Sequence, residues 1–210
     1  MPRTRIKICG IRDPDAALAA ADSGADAVGF MFYKNSSRAI TPEEASEIMA
    51  LLPPCVSTVA VFVNPILDDF CDAEETCPTT LVQFHGQESL DLVQRCGPNL
   101  IKAVRFDDAT IANDLDQWRE VPEVDAVLID GSAGGEGTSF DWSKLSAFVD
   151  DYPKPIFLAG GLTPDNVADA IRIVRPYAVD VSSGVEKARG VKDPALIEAF
   201  CDAVFEADRG

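Results

Sequence analysis

The chain has 210 residues, of which 47% are hydrophobic and 25% charged, and its formal net charge is −17. This length suits one domain with a sizeable core, and no window approaches the roughly 18 uninterrupted apolar residues of a membrane span. The negative charge opposes contact with nucleic acid and with anionic membranes. We therefore expect neither as a partner.

Acidic residues occur in short pairs along the chain, such as Asp68-Asp69 and Glu74-Glu75, whereas lysine is scarce. Paired charges of this kind are typical of a solvated acidic face. An acidic, lysine-poor composition resembles that of proteins from salt-accumulating archaea, in which concentrated salt screens the self-repulsion. The composition predicts a halophilic archaeal origin and instability at low salt.

Cellular location and metal content are also constrained by the sequence. No apolar leader precedes the first predicted strand, so we expect a cytoplasmic protein. The six cysteines form no C-x-x-C pair, which favours mostly buried free thiols over disulfides. His85 is the single histidine, which leaves little for a zinc site, and we expect no metal.

Apolar runs and amphipathic stretches alternate in eight repeats along the chain. Near-continuously apolar runs such as 59–63 are typical of parallel strands that helices cover on their outer side. The pattern predicts an α/β fold, a single (β/α)8 TIM barrel domain over residues 1–210. An open doubly wound sheet is the alternative, although no G-x-G-x-x-G follows the first strand. Strands are predicted near residues 5–9, 26–31, 56–63, 80–84, 99–104, 124–130, 155–159 and 177–181.

Five helix starts are predicted where a capping residue precedes proline. The capping side chain can accept from a free N–H group of the first turn, where proline also fits. At Thr41, Glu44 completes the pattern of a capping box. The five pairs are Asp13-Pro14, Thr41-Pro42, Asn64-Pro65, Thr163-Pro164 and Asp193-Pro194.

Barrel enzymes place their chemistry at the C-terminal ends of the strands. Cys9 ends the first strand beside Gly10, and a thiol can act as base or nucleophile when its pKa is lowered. A small core residue is the alternative for an isolated cysteine. Arg38, after the second strand, can clamp a carboxylate through its planar fork. A surface ion pair with a nearby acid is its alternative.

Polar residues also end the fourth and sixth strands. Gln83 and His85 are candidates for ligand contact, with a structural hydrogen bond as the alternative for the histidine. Asp130 emerges from an apolar run, where the pKa of a carboxyl can rise enough for general-acid work. It could equally cap the glycine-rich loop at 131–141, which either covers a ligand or is a flexible connection.

Small residues at two successive strand ends predict a phosphate site. These are Gly160-Gly161 and Ser182-Ser183-Gly184, and the predicted helix start at Thr163 would aim free N–H groups at them. Many barrels build a phosphate site after strands 7 and 8. Asp180, just before Ser182, is expected to bind a sugar hydroxyl or to hold the turn.

These motifs, taken together, resemble one family, phosphoribosylanthranilate isomerase. The resemblance spans nearly the whole chain, and the K-I-C-G start and the D-V-S-S-G-V-E end are highly specific in combination. The matching segments are Ile6 to Ile11, Lys34 to Arg38, Gln83 to Gly86, Asp130 with Gly134 to Trp142, Leu158 to Leu162, and Val179 to Glu186.

The resemblance implies an Amadori rearrangement in tryptophan biosynthesis, with no cofactor or metal. The substrate would be a small phosphoribosyl compound, N-(5-phosphoribosyl)anthranilate, and the chain a monomer or homodimer. Carried over by position, Asp130 is the general acid that opens the ribose ring and Cys9 the base that removes the C2 proton. Arg38 would bind the anthranilate carboxylate, with further substrate contacts from Gln83, His85 and Asp180. The glycine and serine turns would hold the phosphate.

The departures from the family pattern do not change the candidate acid or the candidate base. Glu136 and Thr138 stand where many relatives carry threonine and lysine, so no substrate contact is assigned to that loop. Gln87 replaces an acidic residue, which concerns helix capping.

Three alternatives remain at this point. The histidine-pathway isomerase of the same fold has aspartate in place of Cys9 and a second phosphate turn. Indole-glycerol-phosphate synthase requires a lysine acid with glutamates at the strand ends. A binder of phosphorylated metabolites without catalysis would be indifferent to substitution of Cys9 and Asp130.

Overall fold

A computed structural model describes residues 3–131 and 141–209. Eight parallel strands are hydrogen-bonded in sequence order and close into a barrel, because β1 pairs with both β2 and β8. Each lies within one residue of its predicted bounds, and the predicted barrel is confirmed. The strands are β1 (Arg5–Cys9), β2 (Ala27–Met31), β3 (Ser57–Phe62), β4 (Leu81–Phe84), β5 (Leu100–Arg105), β6 (Val124–Asp130), β7 (Ile156–Ala159) and β8 (Ala178–Val181).

A helix follows each strand of the barrel. A short antiparallel hairpin, β9 (Glu186–Ala188) and β10 (Val191–Lys192), lies between β8 and the last helix. The helices are α1 (Pro14–Asp22), α2 (Pro42–Met49), α3 (Leu67–Thr76), α4 (Leu90–Cys96), α5 (Ile111–Arg119), α6 (Trp142–Val149), α7 (Val167–Val174) and α8 (Pro194–Arg209).

Alternation along each strand separates two apolar regions. Side chains such as Ile8 and Phe30 point outward and are fully buried beneath the helices. Val59 and Leu128 belong to the second cluster, which fills the barrel interior. Cys9 lies in this inner cluster, so the first strand aims its thiol into the barrel rather than toward the helices.

Three of the five predicted helix starts are confirmed. The side chain of Asp13 accepts from the N–H of Ala16 at the start of α1, and Thr41 forms a complete capping box with Glu44. Asp193 accepts from the N–H of Ala195 at 3.0 Å. Proline follows each of these caps, as the sequence indicates.

The starts predicted at Asn64 and Thr163 are wrong. Helix α3 begins at Leu67 without a side-chain cap, because Asn64 has a φ of 49° and its Oδ1 instead accepts from the N–H of Gln87. Helix α7 begins at Val167, and Thr163 lies in the preceding turn.

Candidate active site

A cavity of about 270 Å³ opens at the C-terminal ends of the barrel strands. Cys9 from β1 and Asp130 from β6 both line it, although these strands are not neighbours in the sheet. The sequence-predicted residues that join them at the cavity are Arg38, His85, Gly160, Gly161, Asp180, Ser182 and Ser183.

Cys9 is buried at the end of β1, with 6% of its surface exposed. Its carbonyl accepts from Oγ of Ser182 at 3.0 Å, which ties β1 to the turn after β8. Burial raises the pKa of the thiol, and the positive charge of Lys7 opposes this effect. The lowered pKa that would favour a thiol base is therefore not found, because the effect of burial outweighs that of the nearby cation.

Asp130 contacts the ring of His85 at the cavity. Oδ2 of Asp130 lies 3.1 Å from Nε2 of His85, and Nδ1 of the same ring lies 2.8 Å from Nε2 of Gln83. Gln83 is fully buried and lies behind His85, so the structure does not bring it to the cavity as a ligand contact. These three residues form a chain that ends at the carboxylate.

Arg38 lies in the loop after β2 and pairs with Glu186 of the hairpin. Its Nε and Nη2 donate to the two carboxylate oxygens of Glu186, at 2.6 and 3.0 Å. Lys192 donates to the same carboxylate at 3.0 Å. Although burial opposes ionisation, these donors lower the pKa of Glu186 to about 2. Two of the guanidinium nitrogens are thus occupied, and Nη1 remains for another anion.

Asp180 forms an ion pair with Lys7 inside the barrel. Oδ1 of Asp180 lies 2.8 Å from Nζ of Lys7, and the two side chains are 7% and 1% exposed. Their Cα atoms are register partners on β8 and β1. Asp180 lines the cavity, whereas Lys7 supports it from below.

The glycine and serine turns meet at the cavity, with the exception of Gly184. Gly160 and Gly161 have φ values of 91° and 64°, which favour glycine, and both line the cavity with Ser182 and Ser183. Gly184 does not line it: its backbone packs so closely on Leu162 that a side chain would collide with that carbonyl.

Asn166, which the sequence did not single out, shapes this turn. Its Nδ2 donates to the carbonyl of Gly161 and its Oδ1 accepts from the N–H of Thr163, both at 2.8 Å. The T-P-D-N segment therefore folds as an asparagine-stabilised turn before α7. Asparagine side chains commonly stabilise turns in this way, so Asn166 could have indicated a turn here. The Thr163-Pro164 pair was instead interpreted as a helix start.

Arg189 is a second cavity residue that the sequence analysis missed. It lies at the tip of the β9–β10 hairpin, is exposed, and donates from Nε to Oγ of Ser37 at 3.3 Å. The hairpin reaches the loop after β2 across more than 150 residues of sequence, so no local pattern indicated this contact.

The loop at 131–141, the cysteines, and the expectations about metal ions and membrane spans can be compared with the described residues only. The residues of the glycine-rich loop at 132–140, including Glu136 and Thr138, lie outside them. Of the cysteines, Cys77, Cys96 and Cys201 are buried free thiols like Cys9, whereas Cys55 and Cys71 are exposed. Within residues 3–131 and 141–209, no cluster of His, Cys, Asp or Glu could hold a metal ion. Nor is any helix of this part of the chain long and apolar enough to cross a membrane.

A candidate acid and a candidate base that share one cavity at the C-terminal mouth define the chain as a (β/α)8-barrel enzyme. Residues 6–203 match the family PRAI, described as N-(5'phosphoribosyl)anthranilate (PRA) isomerase. The chain belongs to this family, and the resemblance drawn from the motifs is confirmed.

Individual relatives agree with this assignment. The N-(5'-phosphoribosyl)anthranilate isomerase of Pseudomonas fluorescens strain Pf0-1 is 46% identical over 97% of this chain and 100% of its own. A phosphoribosyl anthranilate isomerase in complex with reduced 1-(o-carboxyphenylamino)-1-deoxyribulose 5-phosphate is 39% identical, with a TM-score of 0.86 over 97% of this chain and 99% of the other. Monomers made from the dimeric enzyme of Thermotoga maritima superpose with the same TM-score at 38% identity and the same coverage.

The organisms of the relatives can be compared with the archaeal origin that the acidic composition predicts. The curated relatives at 43–46% identity come from bacteria, so the predicted archaeal origin is not supported. The acidic surface remains, and its response to salt stays a prediction.

Proposed function

We propose that this chain catalyses the Amadori rearrangement of N-(5-phosphoribosyl)anthranilate to 1-(2-carboxyphenylamino)-1-deoxyribulose 5-phosphate, in tryptophan biosynthesis. The observation that carries the proposal is that Cys9 and Asp130 line one cavity from two strands that are not neighbours in the barrel. A ring opening followed by proton abstraction needs an acid and a base with separate environments. The relative that binds the reduced product analogue supports this substrate class.

Asp130 acts first, as the general acid. Its carboxyl protonates the ribose ring oxygen, the bond from that oxygen to C1 breaks, and the nitrogen lone pair forms an iminium with C1. His85 holds Oδ2 of this carboxyl. Gln83 holds the ring from behind, so its role is to position His85 rather than to contact substrate.

Cys9 acts second, as the general base in its thiolate form. The sulfur takes the proton from C2, and the electrons of that C–H bond form the C1–C2 double bond while the iminium electrons return to nitrogen. The resulting enolamine gains a proton at C1 and loses the proton of its C2 hydroxyl, which gives the ketone. Burial of the thiol makes the anion strongly basic once it is formed, which suits removal of a carbon-bound proton.

The remaining cavity residues bind the substrate. Nη1 of Arg38 is available to the anthranilate carboxylate, while Glu186 fixes the orientation of the guanidinium. The turns at Gly160-Gly161 and Ser182-Ser183 offer backbone donors to the phosphate. Ser183 adds a hydroxyl donor, whereas the hydroxyl of Ser182 already donates to the carbonyl of Cys9. Asp180 is placed to accept from a sugar hydroxyl, and the backbone of Gly184 supports the serine turn.

The histidine-pathway isomerase is disfavoured by the thiol at the end of β1 and by the family match. We further propose a cytoplasmic enzyme that works without cofactor, as a monomer or homodimer. A dimeric relative is consistent with the second state.

A fluorescence assay tests the proposal. Phosphoribosylanthranilate is generated in place from anthranilate and phosphoribosyl pyrophosphate by the preceding enzyme, and its disappearance is followed with wild type, Cys9→Ala and Asp130→Asn. We expect turnover by wild type only, with retained affinity of both variants for the reduced product analogue. A folded wild type that is inactive at every salt concentration would refute the isomerase, and equal activity of the variants would refute the assigned roles.

A further inference from the structure

Lys7, the buried cation of β1, lies two residues before the proposed base. Lys7 and Cys9 are on the same strand face, because side chains two apart point the same way. Lys7 is 1% exposed, so its ammonium has no access to bulk water. A charge buried this deeply is costly unless neighbouring groups compensate for it.

Glycine at position 29 lets the lysine and the cysteine approach the same point in the barrel. Gly29 is the register partner of Cys9 on β2. A Cβ there would lie 3.1 Å from Sγ of Cys9 and 3.4 Å from Cε of Lys7. The thiol and the end of the lysine side chain therefore pack over one glycine.

Lys7 has more hydrogen-bond donors than its pairing with Asp180 uses. An ammonium has three N–H donors. Among the described residues, Lys7 has one oxygen acceptor, Oδ1 of Asp180 at 2.8 Å. Its remaining donors are available to the sulfur, and a thiolate accepts such bonds more strongly than a thiol does.

Lys192 is a nearby cation with a different task. Its Nζ donates to the carbonyl and Oγ of Ser182 and to Oε1 of Glu186, at 2.8, 3.2 and 3.0 Å. These three bonds use all of its donors. Lys192 therefore acts on Cys9 only through its charge.

We infer that Lys7, oriented by Asp180, is a positioning residue that stabilises the thiolate of Cys9 and so sets the pH range of proton abstraction. The inference rests on the proposed function for its catalytic part. Lys7 stays protonated throughout, the C2 proton moves to sulfur, and the thiol proton returns to solvent through the cavity before the next turnover.

The electrostatics around the thiol agree with this assignment. Burial and Asp180 raise the pKa of Cys9, whereas Lys7 and Lys192 lower it. Burial would lower the pKa of Lys7, but Asp180 and Cys9 raise it above the ordinary value, so the ammonium persists. Among the described residues, the other charged groups that line the cavity are Arg38 from the loop after β2, Asp130 from β6 and Arg189 from the hairpin, with the ring of His85 beside Asp130.

Alkylation of Cys9 by iodoacetamide measures the thiolate directly and needs no substrate. Mass spectrometry of the Cys9 peptide separates it from the exposed Cys55 and Cys71. In Lys7→Met we expect alkylation at neutral pH to slow at least about tenfold, because an opposite charge nearby is lost. The acid limb of the kcat profile should move to higher pH, with a much smaller change in KM.

Lys102→Met is the matched control. Lys102 is also buried and paired with a carboxylate, Glu88 at 3.0 Å. Its Nζ donates to the carbonyls of Phe84 and Gly86 and lies over the ring of Trp118 on α5, rather than beside the thiol. We expect a loss of stability without a change in the alkylation profile. A similar shift in both variants, or a wild-type profile in Lys7→Met, would overturn the inference.

A second pair of variants covers the case in which Lys7→Met does not fold. Asp180→Asn frees the ammonium for sulfur and should accelerate alkylation, and adding Lys7→Met to it should reverse the effect. Equal rates in the single and the double variant would overturn the inference. If wild type shows no isomerase activity while these shifts occur, the proposed function fails and the pairing of Lys7 with Cys9 stands.

Discussion

Nε2 of His85 lies 3.1 Å from Oδ2 of Asp130 while its Nδ1 faces the side-chain amide of Gln83 at 2.8 Å. If the Gln83 amide is oriented so that its N–H donates to Nδ1, the proton of the neutral ring is on Nε2. The ring then donates to Oδ2 of the carboxylate. Gly160 packs closely against this carboxylate, since a Cβ there would lie 2.8 Å from Oδ1 of Asp130.

Gln83→Leu should lower kcat about tenfold with little change in KM. The reason is that the ring of His85 loses its partner on Nδ1 and no longer holds Asp130 in place, a loss comparable to one buried hydrogen bond. Steady-state kinetics checks this, with the exposed Gln94→Leu on α4 as the matched control. A raised KM at unchanged kcat would instead favour direct substrate contact by Gln83, as the sequence first indicated.

The barrel could be read from the sequence because each repeat carries its own signals. A buried parallel strand is a short apolar run wherever it occurs, as at Val59–Phe62, and the following cap marks the next helix. The predictions failed where a side chain bonds to a residue distant in sequence instead of to its own neighbours. Asn64 resembles a helix cap, but it is bound by the segment after β4, where Gln87 donates to its side chain.

The candidate site was only partly predictable for the same reason. Residues at strand ends, such as Cys9 and Asp130, are visible because the barrel rule names their position. Their partners are not visible, since Arg38 meets Glu186 across 148 residues and Lys7 meets Asp180 across 173. The sequence shows which residue types are present, whereas closure of the barrel between β8 and β1 decides which of them pair.

Glu186 should make the protein sensitive to acid. Its pKa falls from an ordinary 4.5 to about 2, so the ionised form contributes stability that is fully present above 4.5 and is lost as the pH falls toward 2. The shift corresponds to at most about 3 kcal/mol. The burial that lowers the pKa of Lys192 works against this gain, so we expect about 1–3 kcal/mol in practice.

Glu186→Gln should therefore lower the free energy of unfolding at pH 6 and flatten its decline between pH 5 and pH 3. Urea unfolding at several pH values measures both effects. Glu198→Gln, an exposed site on α8, is the control and should change neither. A parallel decline in the Glu186 variant and wild type would show that the carboxylate contributes nothing to acid sensitivity.

Arg189 should assist the binding of an anionic substrate. It is an exposed cation at the cavity, whereas the charge of Arg38 is already matched by Glu186. Arg189→Ala should raise KM about fivefold with kcat unchanged, the effect expected for one charge-assisted contact. Lys187→Ala removes the same charge from the same hairpin at a residue that does not line the cavity. Equal effects of the two variants would indicate general attraction rather than contact.

Helix α3 shows why the acidic surface should destabilise the protein at low salt. Asp68 and Asp69 lie in its first turn, where the helix dipole favours them, but Asp72 and Glu75 follow and its last turn contains no basic residue. Like charges one turn apart on a helix repel each other. With 35 acidic and 18 basic residues in the chain, similar repulsion extends over the whole surface.

We expect the melting temperature to rise by at least about 5 °C between low salt and multimolar KCl, because counter-ions screen this repulsion. Replacing two of the acids in the C-terminal half of helix α3, Asp72→Asn with Glu75→Gln, should raise the low-salt melting temperature and reduce the gain from KCl. Calorimetry at matched KCl concentrations measures both. Sucrose at equal osmolarity is the control for effects that do not depend on charge. A flat salt profile in wild type would show that the acidic surface is not a salt adaptation.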